Sequence, residues 1–523
     1  MSDIPLGPAE LGFIAVYLLS LIGIGYCGMR ARTENSLKDF YLAGSGVGFL
    51  VLVLTLYATQ YSGNTLFAFT GKTFRIGYAW LMSVHFMMAI IVVYLVFAPR
   101  LHRLAKRESF ITPADFLEHR FSHRPYTVLA SITMVVAIGN YLLAQLTAMG
   151  LLLQGMTTFD PRTAFVAGVI LLAVIMLVYE TLGGFRAVAW TDMIQGGILM
   201  VGFAILLFVV LDHFGGLAKS FETLKEARPE KVAAPDALTI RRWFSYIVVV
   251  GIGGALYPQA IQRIYAARSQ RVLRNGVAMM AFLPLTASLI AVFVGVTAAA
   301  SPELATLTDA DSDRVFGEVC RIVMAESPFH RWLIVVLLAA VLAALMSTAD
   351  SVLLSVSSML TKDIYHRQIN PAASEEKLTK IGKSLSWVVV TIMAAIAIYL
   401  NSLENKPTLV KLMDMKFDML MQLGPGFILG MHWRGMKANA PFWGLACGLF
   451  LVFALYFLVS TNNLTVMEEW LGFRYGPTKI TQGTLANWGV HGGVFGLTLN
   501  LAVVVAISYL PLGQARSKGV LET

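Results

Sequence analysis

Long apolar runs separated by short polar stretches repeat along the chain from Leu11 to Pro511. A helix needs roughly 20 apolar residues to cross the hydrocarbon core of a bilayer, and these runs recur too regularly for the buried helices of a water-soluble domain. The pattern predicts an all-α polytopic membrane protein with about thirteen transmembrane helices. They fall at residues 8–29, 45–71, 77–99, 126–154, 163–182, 189–211, 240–262, 274–299, 330–361, 378–401, 410–432, 439–460 and 488–511. Two longer intervals, from His213 to Ile240 and from Ala300 to Trp332, are mixed in charge and are expected to carry short surface helices.

Two of the runs are interrupted. If the first span is set aside, spans two to six and seven to eleven form two five-helix sets of opposite orientation, the arrangement of a five-plus-five inverted repeat. Span two contains Ser62-Gly63-Asn64-Thr65 in its middle, and span seven contains Gly251, Gly253 and Gly254 followed by Pro258. Such residues interrupt helices, although Gly in a membrane helix also serves close packing. Interruption at matching positions of the two sets favours functional breaks near the midplane. The expected organisation is one membrane transporter domain: 1–44 as an extra N-terminal helix and cytoplasmic loop, 45–211 and 240–433 as the repeats, and 439–511 as two extra C-terminal helices.

Charge sets the orientation. Asp3 and Glu10 flank the outer end of span one, whereas Arg30, Arg32 and Lys38 follow it. Cytoplasmic loops carry the basic excess, which puts the N-terminus outside. The same rule assigns to the inside the basic residues from Arg100 to Arg124, then Arg263, Arg268, Arg271 and Arg274, then Arg434 and Lys437, and finally Arg516 and Lys518. The net charge of +9 is thereby explained without nucleic acid. With 57% hydrophobic and 14% charged residues, the chain is expected in the inner or plasma membrane. An acidic leading segment and a long apolar run argue against a cleaved signal peptide. Cys27, Cys320 and Cys447 fall in two spans and one outer loop, suggesting neither a disulfide framework nor a metal site.

Several segments resemble the sodium/solute symporter family, which includes proline, pantothenate and sugar carriers. They are Leu182–Gln195 (LGGFRAVAWTDMIQ), Thr112–Glu118 (TPADFLE), Met346–Ser351 (MSTADS) and Ser357–Tyr365 (SSMLTKDIY), in the family's order. The resemblance implies a LeuT-type fold and a sodium ion between spans two and nine as a co-transported ligand, with no other cofactor. The implied ligands are the carbonyls of Ala58, Tyr61 and Ala344 and the hydroxyls of Ser347 and Thr348. A hard monovalent cation suits neutral oxygens, and an unwound helix supplies carbonyls without intrahelical partners. The competing reading is that Ser347 and Thr348 bond back to carbonyls in their own helix. Asp192 is implied to lie on the inner sodium route as a coupling residue; the alternative is a helix cap, shared with Thr191.

For the solute, the candidates flank the breaks: Gln60, Ser62, Asn64 and Thr65 on span two, and Tyr257 and Gln259 on span seven. Gln60 occupies a position that often touches substrate in the family, although an interhelical hydrogen bond is an equal alternative. Asn140 and Gln145 in span four are further polar residues at depth. Val250 and Gly254 stand where proline carriers have aromatics, which argues against proline. Lys411, Asp414, Lys416 and Asp418 cluster in span eleven; an inward Lys416 would attract a carboxylate, whereas an interfacial one would pair locally.

The resulting expectation is a secondary active transporter for sodium-coupled symport of a small organic solute, such as a carboxylate or amino acid. A proton-coupled carrier of the same fold and a transporter-like sensor are the alternatives, although only a short tail follows Leu512. Neither a selectivity-filter sequence nor an HExxH or Walker A motif appears, and His85 is a lone intramembrane histidine, so a channel or an enzyme is not expected.

Overall fold

The computed structural model describes residues 6–510 apart from 33, 305, 308–313, 404–408, 461–483 and 486–488. Arg516 and Lys518, expected to mark a cytoplasmic C-terminus, lie outside the described residues.

The first half comprises α1 (Pro8–Arg30), α2 (Leu37–Leu42), α3 (Phe49–Gln60), α4 (Gly63–Ile76), α5 (Met82–Glu108), α6 (Pro113–Phe121), α7 (Arg124–Met156), α8 (Pro161–Gly183), α9 (Phe185–Phe214) and α10 (Gly216–Ala227). The second comprises α11 (Ala237–Ala255), α12 (Pro258–Ala266), α13 (Gln270–Met280), α14 (Pro284–Ala300), α15 (Val315–Met324), α16 (Pro328–Met359), α17 (Glu375–Asn401), α18 (Leu409–Leu420), the single turn α19 (Gly430–His432), α20 (Ala440–Ser460) and α21 (Gly492–Tyr509). Of the two long intervals expected to carry surface helices, the first holds the largely exposed α10, whereas the second holds α15, which is mostly buried against α4 and α16.

Among the described residues, nine helical stretches are individually long and apolar enough to cross a membrane, or ten with the bent pair α11–α12 counted as one span. The expectation of thirteen single spans is therefore only partly met. Span two is divided between α3 and α4, the span-eleven region between α18 and short irregular helical turns, and the apolar part of α20, Ala440–Leu455, is short of a full crossing.

The packing displays the expected internal symmetry. Spans two and three (α3, α4, α5) interlock with spans seven and eight (α11, α13, α14), while spans four and five (α7, α8) interlock with spans nine and ten (α16, α17). Span six, α9, lies on α3 and α16; its counterpart α18 lies on α11 and α7. Enclosure follows from this order. In α16, 83% of the apolar window is buried, against 22% in α17 and 28% in α1, which present their remaining apolar sides outward.

A short backbone clasp joins the approaches to the two broken spans. Val47 and Ala267 form a parallel bridge, with the Val47 amide donating to the Ala266 carbonyl at 3.0 Å and the Arg268 amide donating to the Val47 carbonyl at 2.8 Å. Lys106 reinforces it by donating to the Ser45 carbonyl at 2.6 Å.

Candidate functional site

The first break falls at Tyr61–Ser62. Tyr61 is extended at φ −111°, ψ 97°, and a new helix begins at Gly63. A Cβ at residue 63 would stand 2.9 Å from the Val341 carbonyl and 2.8 Å from Leu345, so glycine lets the broken stretch press against α16. Helix termination leaves the last carbonyls of α3 without their normal partners. The Ala58 carbonyl accepts from the hydroxyls of Ser347 at 3.5 Å and Thr348 at 3.2 Å. Both hydroxyls also donate back to Ala344, at 3.1 and 3.0 Å. The local back-bonding alternative is thus present, yet the same hydroxyls reach across to the broken helix. Ala58, Ala344, Ser347 and Thr348 converge on one point, all at most 1% exposed, with Tyr61 supplying the first residue of the break.

The second break falls at Leu256–Tyr257, where α11 and α12 meet at 50° and Pro258 opens the new helix. The three glycines before it do not themselves form the break. A Cβ at Gly251 would meet Ala89 at 2.9 Å, one at Gly253 the Phe417 carbonyl at 2.8 Å, and one at Gly254 Ile90 at 2.7 Å. They are close-packing positions, and Pro258 marks the interruption.

Between the breaks lies a cavity lined by Gln60, Thr65, Tyr141, Tyr257, Lys416 and Phe417, among others. The Gln60 amide nitrogen donates to the Tyr94 hydroxyl at 2.7 Å, while its oxygen is buried without a protein partner. An interhelical bond and a surface turned to the cavity thus coexist in this residue. Tyr257 stacks between Tyr141 and Phe417, with ring centroids 5.9 and 5.7 Å away. Ser62 is buried at the break, and Thr65 lies one turn along α4. Asn64 is on the α4 backbone, with its side chain outside the described part. Gln259 is fully buried with neither amide atom partnered, but it is not among the residues that line the cavity. Gln145 is likewise buried with both amide atoms unpartnered. Lys416 is only 1% exposed, which excludes the interfacial placement weighed from the sequence.

Asp192 lies inside α9, well past its start at Phe185, and Thr191 bonds back to Ala187 and Val188, so neither residue caps the helix. Asp192 instead pairs with Arg263 at 2.7 Å and accepts a close hydrogen bond from Thr55. Arg263, assigned to a cytoplasmic loop by charge counting, is 1% exposed inside α12. Its guanidinium donates to the Thr55 hydroxyl at 2.8 Å, the Gln259 carbonyl at 3.0 Å and the Ser351 hydroxyl at 2.5 Å. Ser351 in turn donates to Asp350 at 3.3 Å, and Tyr179 donates to the other oxygen of Asp350 at 2.5 Å. Farther along α16, Ser355 and Ser358 bracket the Gln262 amide. A polar column therefore runs from Ser347 along one helix face at the three- and four-residue spacing of an α-helix. Sequence reasoning missed Arg263; its spacing of four from Gln259, within an apolar helix, was the available signal.

Two of the motifs meet at the end of this column. Asp115 accepts from the backbone of Ile111 and Thr112 at 2.6 and 2.9 Å, pairs with Lys362 at 2.8 Å and contacts Arg367. Burial opposes its ionisation, but Lys362 and Arg367 prevail and hold its carboxyl below the usual carboxylate range. Thr112 donates to Asp363 at 2.8 Å, completing a latch between α6 and the π-helical extension Leu360–Ile369 of α16. The third motif turns the chain between α8 and α9. Gly184 has φ +60°, and a Cβ there would lie 2.5 Å from the Phe40 carbonyl, while Arg186 pairs with Asp39 at 2.7 Å.

Known proteins resemble this chain in sequence and in fold. The osmoregulated proline transporter OpuE of Bacillus subtilis (strain 168) is 25% identical over 460 residues, covering 86% of this chain and 88% of its own. The sodium/pantothenate symporter of Escherichia coli (strain K12) is 26% identical over 499 residues, covering 94% and 98%. Among solved structures, a substrate-bound, outward-open Na+-coupled sialic acid symporter superposes with a TM-score of 0.75 at 18% identity, over 98% of this chain and 99% of that one. MhsT in complex with L-phenylalanine gives 0.57 at 13% identity, over 88% and 99%. At those identities the structures share the LeuT-type fold. The model of the sodium:solute symporter family matches residues 40–448, and the chain belongs to that family.

Proposed function

We propose that the protein draws a small organic solute into the cell with sodium, binding the ion at the first break and the solute in the adjoining cavity. The observation that carries this reading is the convergence of the Ala58 and Ala344 carbonyls with the Ser347 and Thr348 hydroxyls beside a cavity faced by Gln60, Thr65 and Tyr257. Neutral oxygens at a helix break suit a monovalent cation, which needs no carboxylate to replace its hydration shell. The Tyr61 carbonyl is the fifth proposed ligand. When sodium binds, the two hydroxyls turn their lone pairs inward and keep their protons for neighbouring carbonyls.

In this reading Asp192 couples ion release to the inner side. Its pairing with Arg263 links α9 to α12 and, through Thr55, to the helix that carries Ala58. Ser62, Asn64, Tyr257 and Gln259 belong to the solute side by their positions at the breaks. The repeats are taken as 45–211 and 240–433, within the inner or plasma membrane, with the N-terminus outside and the C-terminus inside. This orientation rests on the basic residues that remain in loops once Arg263 is withdrawn from them.

Reconstitution into vesicles tests the proposal. An inward sodium gradient should drive solute accumulation, and each co-transported charge adds about 2.3 kcal/mol per 100 mV of inside-negative potential. Uptake that follows a proton gradient and ignores sodium would refute the ion assignment.

A further inference from the structure

We infer that the protein holds the phosphate head group of an acidic phospholipid between Arg32 and Lys383, beside the Arg30 end of α1 and the early turns of α17. None of the residues assigned to sodium or solute takes part.

Phe40 of α2 is the common point. The Arg32 guanidinium lies 4.9 Å from its ring centroid and the Lys383 ammonium 5.4 Å. A ring face attracts a cation, but two cations over one ring repel each other. Lys383 feels the charge of Arg32, and Arg32 feels that of Arg186. Asp39 pairs with Arg186 at 2.7 Å and also favours the charge of Arg32. Burial is the stronger influence on Arg32 and holds it below the ordinary arginine value. Its Nε and Nη2 atoms are buried without an acceptor among the described residues. The nearby carboxylates are engaged elsewhere: Glu375 accepts from the Leu37 amide at 2.8 Å and Glu180 from the Ser386 hydroxyl at 2.9 Å. Three cations thus gather around one carboxylate. A phosphate accepts charge-assisted hydrogen bonds from the planar Arg32 fork and from Lys383 on its flexible stem, and it offsets their repulsion.

Position selects the source of the phosphate. Trp387 stands one helical turn after Lys383, and Trp387, Val388 and Ile392 are exposed along α17, as Leu19 and Tyr26 are along α1. Trp387 donates to the Thr181 hydroxyl at 3.1 Å, an amphipathic placement suited to the boundary between head groups and acyl chains. Both helices present most of their apolar surface outward. A lipid therefore gains apolar contact along these helices while its phosphate meets the cations, whereas a soluble phosphate gains only the second.

The test uses the full-length protein in vesicles containing brominated phosphatidylglycerol or brominated phosphatidylcholine, with both leaflets alike. Quenching of Trp387, read as the difference between the parent and Trp387→Phe, reports lipid bound at this position. Phosphatidylglycerol should be favoured about tenfold, and Arg32→Gln and Lys383→Gln should each lower that preference about threefold. Arg30→Gln, which removes a guanidinium stacked on Tyr26, should leave it unchanged. Equal quenching by the two lipids in the parent overturns the inference. So does an undiminished preference in a folded Arg32→Gln or Lys383→Gln protein, or an equal loss on Arg30→Gln, which would reduce the effect to general surface charge. Millimolar glycerol 3-phosphate separates the sources: quenching that it leaves intact supports a lipid, whereas displacement of phosphatidylglycerol identifies a soluble phosphate and overturns the lipid assignment. If neither glutamine variant folds, the parent's preference between the two lipids, with and without glycerol 3-phosphate, decides. The measurement needs no transport, so its outcome is independent of the ion and solute assignments.

Discussion

The two broken spans occupy equivalent positions in the repeats yet present different chemistry. At Tyr61–Ser62 the backbone ends a helix against the Ser347–Thr348 pair of α16, so that carbonyl and hydroxyl oxygens gather. At Leu256–Tyr257 the break carries an aromatic ring stacked between two others, followed by an amide with no described partner. The inverted architecture thus supplies two interruptions, and in the proposed reading the side chains around them divide the work. Oxygen-rich surroundings suit the ion, whereas rings and amides suit an organic solute.

Arg263 joins these regions, and its loss should have the largest effect. It reaches from α12 to Thr55 of α3 while pairing with the buried Asp192. Arg263→Met leaves that carboxylate uncompensated, at a cost of about 3–5 kcal/mol. Thermal or denaturant unfolding in detergent should record the loss, and adding Asp192→Asn should recover part of it. A single variant as stable as the parent would show that the two breaks are energetically independent.

The next effect separates ion from solute. Ser347→Ala and Thr348→Ala should each raise the sodium concentration for half-maximal uptake about tenfold, equivalent to about 1.4 kcal/mol, with solute affinity at saturating sodium moving less. Equal changes in both constants would erase the proposed division of labour.

Gln60→Ala should act in the opposite sense and more weakly. It removes the amide oxygen that is buried without a protein partner, and a neutral hydrogen bond from the solute to that oxygen is worth about 1 kcal/mol, so the apparent solute affinity should fall about fivefold with little change in sodium dependence. Loss confined to protein yield would make Gln60 a packing residue.

The smallest effect near neutral pH belongs to the latch, remote from both breaks. The folded-state pKa of Asp115 is depressed, so its stabilising contribution is fully present above the unfolded value of about 3.9 and fades only as pH falls through the lower folded value. In an Asp363→Asn background, which removes the neighbouring buried carboxyl that shares Arg367, adding Asp115→Asn should therefore shift the melting temperature by a constant amount from pH 6 to 8. The shift should narrow only in strong acid. A difference that changes near neutrality would mean that another group governs the latch.

Much of this was legible because its causes are local. Pro258 and the Ser62–Thr65 run disclose where helices fail, and the four family motifs disclose the family. Arg263 and Lys416 were not legible in the same way. Whether a charged side chain faces a loop, an interface or the interior depends on partners such as Asp192, Ser351 and Tyr141, which lie on other helices. The same limit explains Gly251, Gly253 and Gly254. Their composition reads as a helix interruption, whereas the approach of Ala89, Phe417 and Ile90 shows that small size is what these positions require.

The clasp between Val47 and Ala267 bears on how the molecule moves. Its two backbone hydrogen bonds tie the start of one broken span to the end of the other, so those ends travel together unless these hydrogen bonds are exchanged for ones to water. In the proposed transport cycle this tied pair therefore moves as one lever against α16, on which both α3 and α12 pack. Deuterium uptake at the Val47 and Arg268 amides should accordingly keep the same slow rate whether the carrier idles or turns over; acceleration during turnover would show that the lever comes apart on each cycle.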